Sequence, residues 1–288
     1  MDSKNSPETL KSRAAMSISE FRKRAENLES TSKMPLLFVG HGNPLNAIAK
    51  NEFTEGWKKA AKSLPKPSAI LCISAHWETN GTFVTAMQNP RTIHDFYGFP
   101  KELYDVKYPS PGSPKLAKEA KEAIRKTNVG MDQNWGLDHG CWAVVKNMFP
   151  KANIPIVEMS LDRYRHPLWH YGIAKELTVL RKKGVLIIGS GNIVHNLGMM
   201  DWKADIGFEW AIHANEMMKK LIERGEHRQL IKYDSLGKEI KMAVPTPEHY
   251  LPLLYILGLK GKNENISFFN DKTVLGSISM TSVKIGNE

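Results

Sequence analysis

Cysteine is nearly absent: Cys72 and Cys141 are the two in 288 residues, with no Cys-x-x-Cys spacing, which argues against a disulfide framework and a thiolate zinc site. Both lie in apolar sequence and are expected as buried free thiols, the form that a reducing compartment keeps. Long hydrophobic runs are missing too. Stretches such as Pro35 to Gly40 and Val185 to Gly189 stop far short of the roughly 18 apolar residues of a membrane span. No continuous apolar segment follows a basic start, so the expected address is the cytoplasm, without a secretory leader. Gly and Pro together make only 37 residues and no long segment recurs, which sets aside collagen-like, low-complexity and solenoid architectures.

Acidic residues are in deficit, 30 against 40 Lys and Arg, for a net charge of +10. The basic residues are scattered, as in Lys58-Lys59, Arg181-Lys182-Lys183 and Lys219-Lys220, often with acids nearby as in Lys118-Glu119-Lys121-Glu122. A solvated surface therefore fits better than a nucleic-acid patch, and neither nucleic acid nor membrane is expected as a partner. The field would attract an anionic small substrate.

What is present is a 41% apolar chain with alternating patterns. Leu10, Ala14, Ile18, Phe21, Ala25 and Leu28 recur at spacings of four and three, predicting an amphipathic helical extension over residues 1–33. Residues 34–288 form the second unit, in which short apolar runs alternate with helical stretches. Strands are expected at Leu36 to Val39, Ala69 to Ser74, Thr82 to Ala86, Ile154 to Met159, Val185 to Gly189 and late, near Ile266 to Phe269 or Leu275 to Met280. Helices are expected at Phe53 to Ser63, Pro114 to Lys126, Cys141 to Phe149, Pro167 to Arg181, Phe208 to Arg224 and Pro247 to Leu257. The fold class is α/β: one three-layer domain, a central mixed and mostly parallel sheet flanked by helices. Between Asn89 and Gly112 runs a long connection rich in aromatics, Gly and Pro, the kind that carries binding residues.

Ten histidines carry the chemical signal. His41 follows the first strand in Gly40-His41-Gly42-Asn43-Pro44, His76 ends the second in Ser74-Ala75-His76-Trp77, and His195 follows the strand ending at Gly189. Carboxyl ends of parallel strands converge on one crevice, so these imidazoles are expected on a common rim as a metal site. His249, in Thr246-Pro247-Glu248-His249, is expected in the first turn of a helix, where the dipole favours a neutral, ligating ring. His139, in Leu137-Asp138-His139-Gly140, lies at another loop-to-helix junction. His94 is a candidate lid residue, whereas His166, His170, His213 and His227 are expected to be exposed. Imidazole suits Fe, Zn, Cu and Ni alike. Dinucleotide, Walker-type and Gly-x-Ser-x-Gly motifs are not found.

Six motifs in order, Gly-His-Gly-Asn-Pro, Ser-Ala-His-Trp, Thr-Ile-His-Asp-Phe-Tyr-Gly-Phe-Pro, Leu-Asp-His-Gly, His195-Asn196-Leu197-Gly198 and Pro-Thr-Pro-Glu-His-Tyr, span Met34 to Met280. Together they resemble the class III extradiol ring-cleavage dioxygenases, in the DOPA 4,5-dioxygenase-like branch. The resemblance implies His41, His76 and His249 as metal ligands, His195 as acid/base or a further ligand, and His139 facing substrate and dioxygen. It implies Fe(II) for ring cleavage, with Zn(II) as a possible occupant, and a catecholic substrate with dioxygen, in a monomer or small homo-oligomer. Glu248 keeps a carboxylate ligand open as an alternative to His249. Phe96, Tyr97, Phe99 and Trp135 are candidates to wall the ring, and the positive charge suits a carboxylate-bearing catechol such as DOPA. Two other classes remain in view: a zinc hydrolase on the same histidines, with Glu248 or Asp138 as base, and a non-enzymatic binding protein on this fold.

Overall fold

The computed structural model describes residues 33–286, so the helix expected over residues 1–33 lies outside the described residues except at its last position. One eight-stranded mixed sheet runs through the body in the order β4-β3-β5-β2-β6-β1-β10-β7. Its strands are β1 (Leu36–Gly40), β2 (Ala69–Thr79), β3 (Thr82–Thr85), β4 (Val129–Asp132), β5 (Ile156–Asp162), β6 (Val185–Gly191), β7 (Ile266–Phe269) and β10 (Ser282–Ile285). Two short strands, β8 (Thr273–Val274) and β9 (Ile278–Ser279), pair separately. The central strands β5, β2, β6 and β1 are parallel, and antiparallel pairs of β3 with β5 and of β10 with β1 and β7 close the two sides.

Burial on both faces explains the continuous apolar runs of β1 and β6, every residue of which is buried. Alternate side chains feed two cores. Leu36, Phe38, Leu71, Ile73 and Ile187 point to one, and Leu37, Val39, Ile70, Cys72, Leu186 and Ile188 to the other. The helix Leu251–Leu259 is buried along its whole length between the sheet and the helix Pro167–Ala174, consistent with a sequence that carries no charge on any face. Surface helices carry the expected signals. Glu52–Lys62 opens with a capping box of Asn51 and Thr54, and Pro114–Ala123 opens with the Ser113 cap and a first-turn proline.

The structure changes several expectations. β2 continues past Ser74 to Thr79, so His76 lies inside the strand, where the register with β5 slips between Ile73 and Glu78. β4 and β10 were hidden in short, mixed sequence, and Leu275 to Met280 holds only the two-residue β9. The helix expected over Pro167 to Arg181 is three short pieces. Both cysteines are buried and free. Among the described residues no helix is long and apolar enough to cross a membrane.

Candidate active site

The adjacent parallel strands β1, β6 and β2 end on one crevice, and five histidines gather there. His41 is the first residue after β1. His76 leaves β2 at the register slip, which turns its side chain out of the ladder toward the crevice. His139 is the first residue of the helix His139–Met148, whose cap is the Asp138 carboxylate. His195 follows β6 by four residues, its N–H bonded to the Ala243 carbonyl at 2.8 Å. His249 precedes the helix Leu251–Leu259 in a turn closed by Tyr250 N–H to Pro247 O.

That last position corrects the expectation of a first-turn residue, since the helix begins two residues later. Thr246 donates its hydroxyl to Glu248 Oε1, and the helix dipole does not account for the state of His249. Burial does: it lowers the His249 pKa, as it does for His41 and His76, with the neighbouring imidazoles adding to the effect at the latter two. The His249 backbone lies directly on β6. A side chain at Gly191 would bring a Cβ within 2.1 Å of the His249 carbonyl, so only glycine fits there.

Ring centroids of His41, His76 and His249 form a nearly equilateral triangle with sides of 4.9, 5.3 and 5.0 Å. Polar contacts distinguish the two nitrogens of each ring. Ser190 Oγ donates to the Gly140 carbonyl at 2.5 Å, so it accepts from His41 Nδ1–H at 3.0 Å and leaves His41 Nε2 as a lone pair. His76 turns Nδ1 to Asp95 Oδ2 at 3.5 Å and Nε2 to His41 Nε2 at 3.1 Å. His249 turns Nδ1 to Glu248 Oε1 at 3.2 Å, and its Nε2 is buried with no partner among the described residues. His41 Nε2 and His76 Nε2 meet 3.1 Å apart, and the buried His249 Nε2 has no partner among the described residues, so the three rings offer inward nitrogens that a cation can share. The donor set therefore fits a metal ion.

The other two histidines flank this triangle. His139 lies against His76 with centroids 3.9 Å apart, and His195 stacks on His249 at 3.5 Å with planes 6° apart. Nitrogen or oxygen donors of His41, His76 and His139 lie within 4.8 Å of one another, as do those of His195, Glu248 and His249. Burial and His249 push the His195 pKa down to about 2.

A cavity of about 340 Å³ opens over the rings. Its walls include Phe96, Tyr97 and Phe99 from the long connection, Leu197, Met200 and Trp202 from the connection after β6, and Leu275 and Ile278 from the segment of β8 and β9. Trp135, expected as a wall, instead stacks on Trp77 and donates to the buried Glu158 carboxyl. His94 is no lid residue: its ring bonds the Val106 carbonyl and packs on Trp142. His166 and His213 are exposed as expected, whereas His170 is fully buried beside Tyr255 OH and His227 is half-buried against Tyr171. Asp138 caps its helix and accepts from Ser74 through Oδ1, its Oδ2 is buried, and it does not line the cavity, so it is not placed to serve as a hydrolytic base. The positive charge does not line the cavity. Among the described lining residues none is Lys or Arg, and Asp95 is the one carboxylate.

Sequence reasoning passed over Asp95, Ser190, Leu197, Met200 and Trp202. The first two stand beside motif residues, in His94-Asp95-Phe96 and Gly189-Ser190-Gly191, where adjacency was the available signal. The apolar wall came from loops whose composition reads as surface.

Comparison with known proteins identifies the family. Residues 32–283 match the family described as the catalytic LigB subunit of aromatic ring-opening dioxygenase. The chain is 45% identical over 263 residues to the 4,5-DOPA dioxygenase extradiol of Escherichia coli K12, covering 89% of this chain and 96% of that protein. It is 35% identical over 254 residues to the 4,5-DOPA dioxygenase extradiol of Beta vulgaris, covering 86% and 94%. A crystal structure of an uncharacterized protein from Escherichia coli K12 superposes with a TM-score of 0.77 at 40% identity, over 88% of this chain and all of that one. Dioxygenases of this family are metal dependent, and the histidine clusters are side chains able to hold a metal here. The chain belongs to the LigB family of class III extradiol ring-cleavage dioxygenases, in the 4,5-DOPA dioxygenase-like branch.

Proposed function

We propose that this enzyme opens a catechol ring beside its two hydroxyls, using Fe(II) held by His41, His76 and His249, with His195 as acid/base and His139 facing the substrate. One observation carries the ligand set: His41 and His249 bond Ser190 and Glu248 through Nδ1, His76 turns its Nδ1 toward Asp95, and the Nε2 atoms of His41 and His76 meet while that of His249 has no partner among the described residues. Iron, when bound, supplies open positions for the catechol oxygens and the redox chemistry for dioxygen that Zn(II) lacks. His195, stacked on His249 and lining the cavity, accepts a proton from a catechol hydroxyl at a ring nitrogen and returns it as the ring opens. Phe96, Tyr97, Phe99, Leu197, Met200 and Trp202 line the cavity, where they hold the aromatic ring and exclude water. Both atoms of dioxygen end in the ring-opened product.

The Escherichia coli and Beta vulgaris relatives are named for DOPA, which makes L-DOPA the first catechol to test. With no cationic side chain among the described lining residues, its amino-acid end stays in water at the open rim. The test is anaerobic loading of metal-free protein with Fe(II) or Zn(II), then air and L-DOPA or a neutral catechol, with dioxygen uptake and the yellow ring-opened product recorded. Uptake with iron alone, abolished in His41→Ala and strongly reduced in His195→Ala, is the expected result. Stoichiometric metal with no uptake on any catechol would overturn it.

A further inference from the structure

Asp95 lies on the long connection, one residue before the aromatic wall formed by Phe96, Tyr97 and Phe99, and both of its oxygens are engaged by the histidine cluster. Oδ1 accepts the backbone N–H of His139 at 2.9 Å, and Oδ2 pairs with His139 Nδ1, also at 2.9 Å. The same Oδ2 lies 3.5 Å from His76 Nδ1. The His139 side chain is only 6% exposed and that of Asp95 18% exposed, so bulk water is a poor substitute for either contact.

We infer that Asp95 is a positioning residue for ring cleavage, one carboxylate that fixes the tautomer and orientation of His139 and steadies the ring of His76. A carboxylate only accepts, so His139 must donate from Nδ1, and a neutral His139 then keeps Nε2 as an acceptor away from Asp95. The backbone bond from His139 adds a second point of attachment, which ties the connection to the start of the helix His139–Met148. His76 shares the acceptor, so the ring proposed to bind metal and the ring proposed to face substrate turn about one group. Because Asp95 adjoins the cavity wall, substrate pressing on Phe96 and the orientation of these two rings depend on one segment of chain. The inference rests on the proposed roles of His76 and His139.

Asp95→Asn is the discriminating variant. Its amide retains an oxygen for one donor but places N–H groups opposite the other, favouring a His139 tautomer protonated on Nε2. The tautomers are read by ¹⁵N–¹H correlation of the histidine rings in the Zn(II)-loaded protein, with His139→Gln identifying the His139 signals. The native protein is expected to show His139 protonated on Nδ1, and Asp95→Asn to show Nε2. With Fe(II), Asp95→Asn is expected to lose about 10- to 100-fold in kcat with the catechol KM changed less than about threefold, and Asp95→Glu to recover part of the rate. A native His139 protonated on Nε2 overturns the inference, even if the variant fails to fold. So does a folded Asp95→Asn that keeps Nδ1 protonated and its native rate. The tautomer measurement needs no substrate, so its failure is distinguishable from a failure of the ring-cleavage proposal, which appears as absent dioxygen uptake in the native enzyme.

Discussion

The two sides of the cavity are built differently. The inner side stands on the sheet: His41 and His76 come from β1 and β2, His139 from a capped helix, and all three meet Ser190 or Asp95 through a ring nitrogen. The outer side comes from connections, where Leu197 and Trp202 are 61% and 60% exposed and offer shape more than hydrogen bonds. Groups that must be held within a few tenths of an ångström are fixed by strands and their neighbours, whereas the wall that meets the substituent of a substrate is free to differ in sequence. His195 and His249 stand between these extremes, on connections but stacked and anchored through the Ala243 carbonyl and the close approach at Gly191.

The largest expected effect breaks the inner side. His41→Ala or His76→Ala should lose stoichiometric metal and at least about a thousandfold in rate, because several kcal/mol of transition-state stabilisation go with the metal. Elemental analysis beside dioxygen uptake checks this. His195→Ala should keep the metal and lose about 10²- to 10⁴-fold in kcat, the usual range for a general acid/base. Loss of metal in that variant would instead move His195 into the ligand set. Trp202→Ala, on the outer side, should raise KM for a catechol with an apolar substituent about fivefold, near 1 kcal/mol, with kcat preserved. An equal fall in kcat would remove the distinction between the two sides.

The smallest effect concerns a carboxyl pair beneath the inner side. Burial and the nearby Asp95 carboxylate push Asp138 up to about 6, and burial and Asp138 raise Glu158 well above its ordinary range. A carboxyl whose folded pKa exceeds the unfolded value near 4 contributes stability fully below that value and loses it as pH rises through the folded one. Asp138→Asn keeps an oxygen for the Cys141 N–H and should flatten the decline in Tm between about pH 4 and 6 by about 2–4 °C, as read by calorimetry.

The contrast also describes what the sequence made legible. Apolar runs such as Leu36 to Val39 and Val185 to Gly189 announced the central strands, because strands buried on both faces need continuous apolar residues. The histidines that follow them were legible for the same reason, since a parallel sheet brings its carboxyl ends together. His249 was found as a candidate, but the turn holding it was not, because Thr246-Pro247 imitates a cap and first turn while the helix begins at Leu251. Asp95 and Ser190 escaped notice because their partners are 44 and 149 residues away in sequence. His170 looked exposed among charged neighbours, yet a fragmented helix packed on Leu251–Leu259 buries it. Trp202 is exposed, yet it lines the cavity, a position that depends on the folded path of its connection.

The most direct test of the ligand assignment is a crystal structure of the metal-loaded protein, prepared with Zn(II) and, without air, with Fe(II). The account predicts one ion about 2.0–2.1 Å from Nε2 of His41, His76 and His249 in the zinc form, with His139 and His195 flanking it and iron at the same position. An ion held by His41, His76 and His139, leaving His249 Nε2 without a partner, would contradict it.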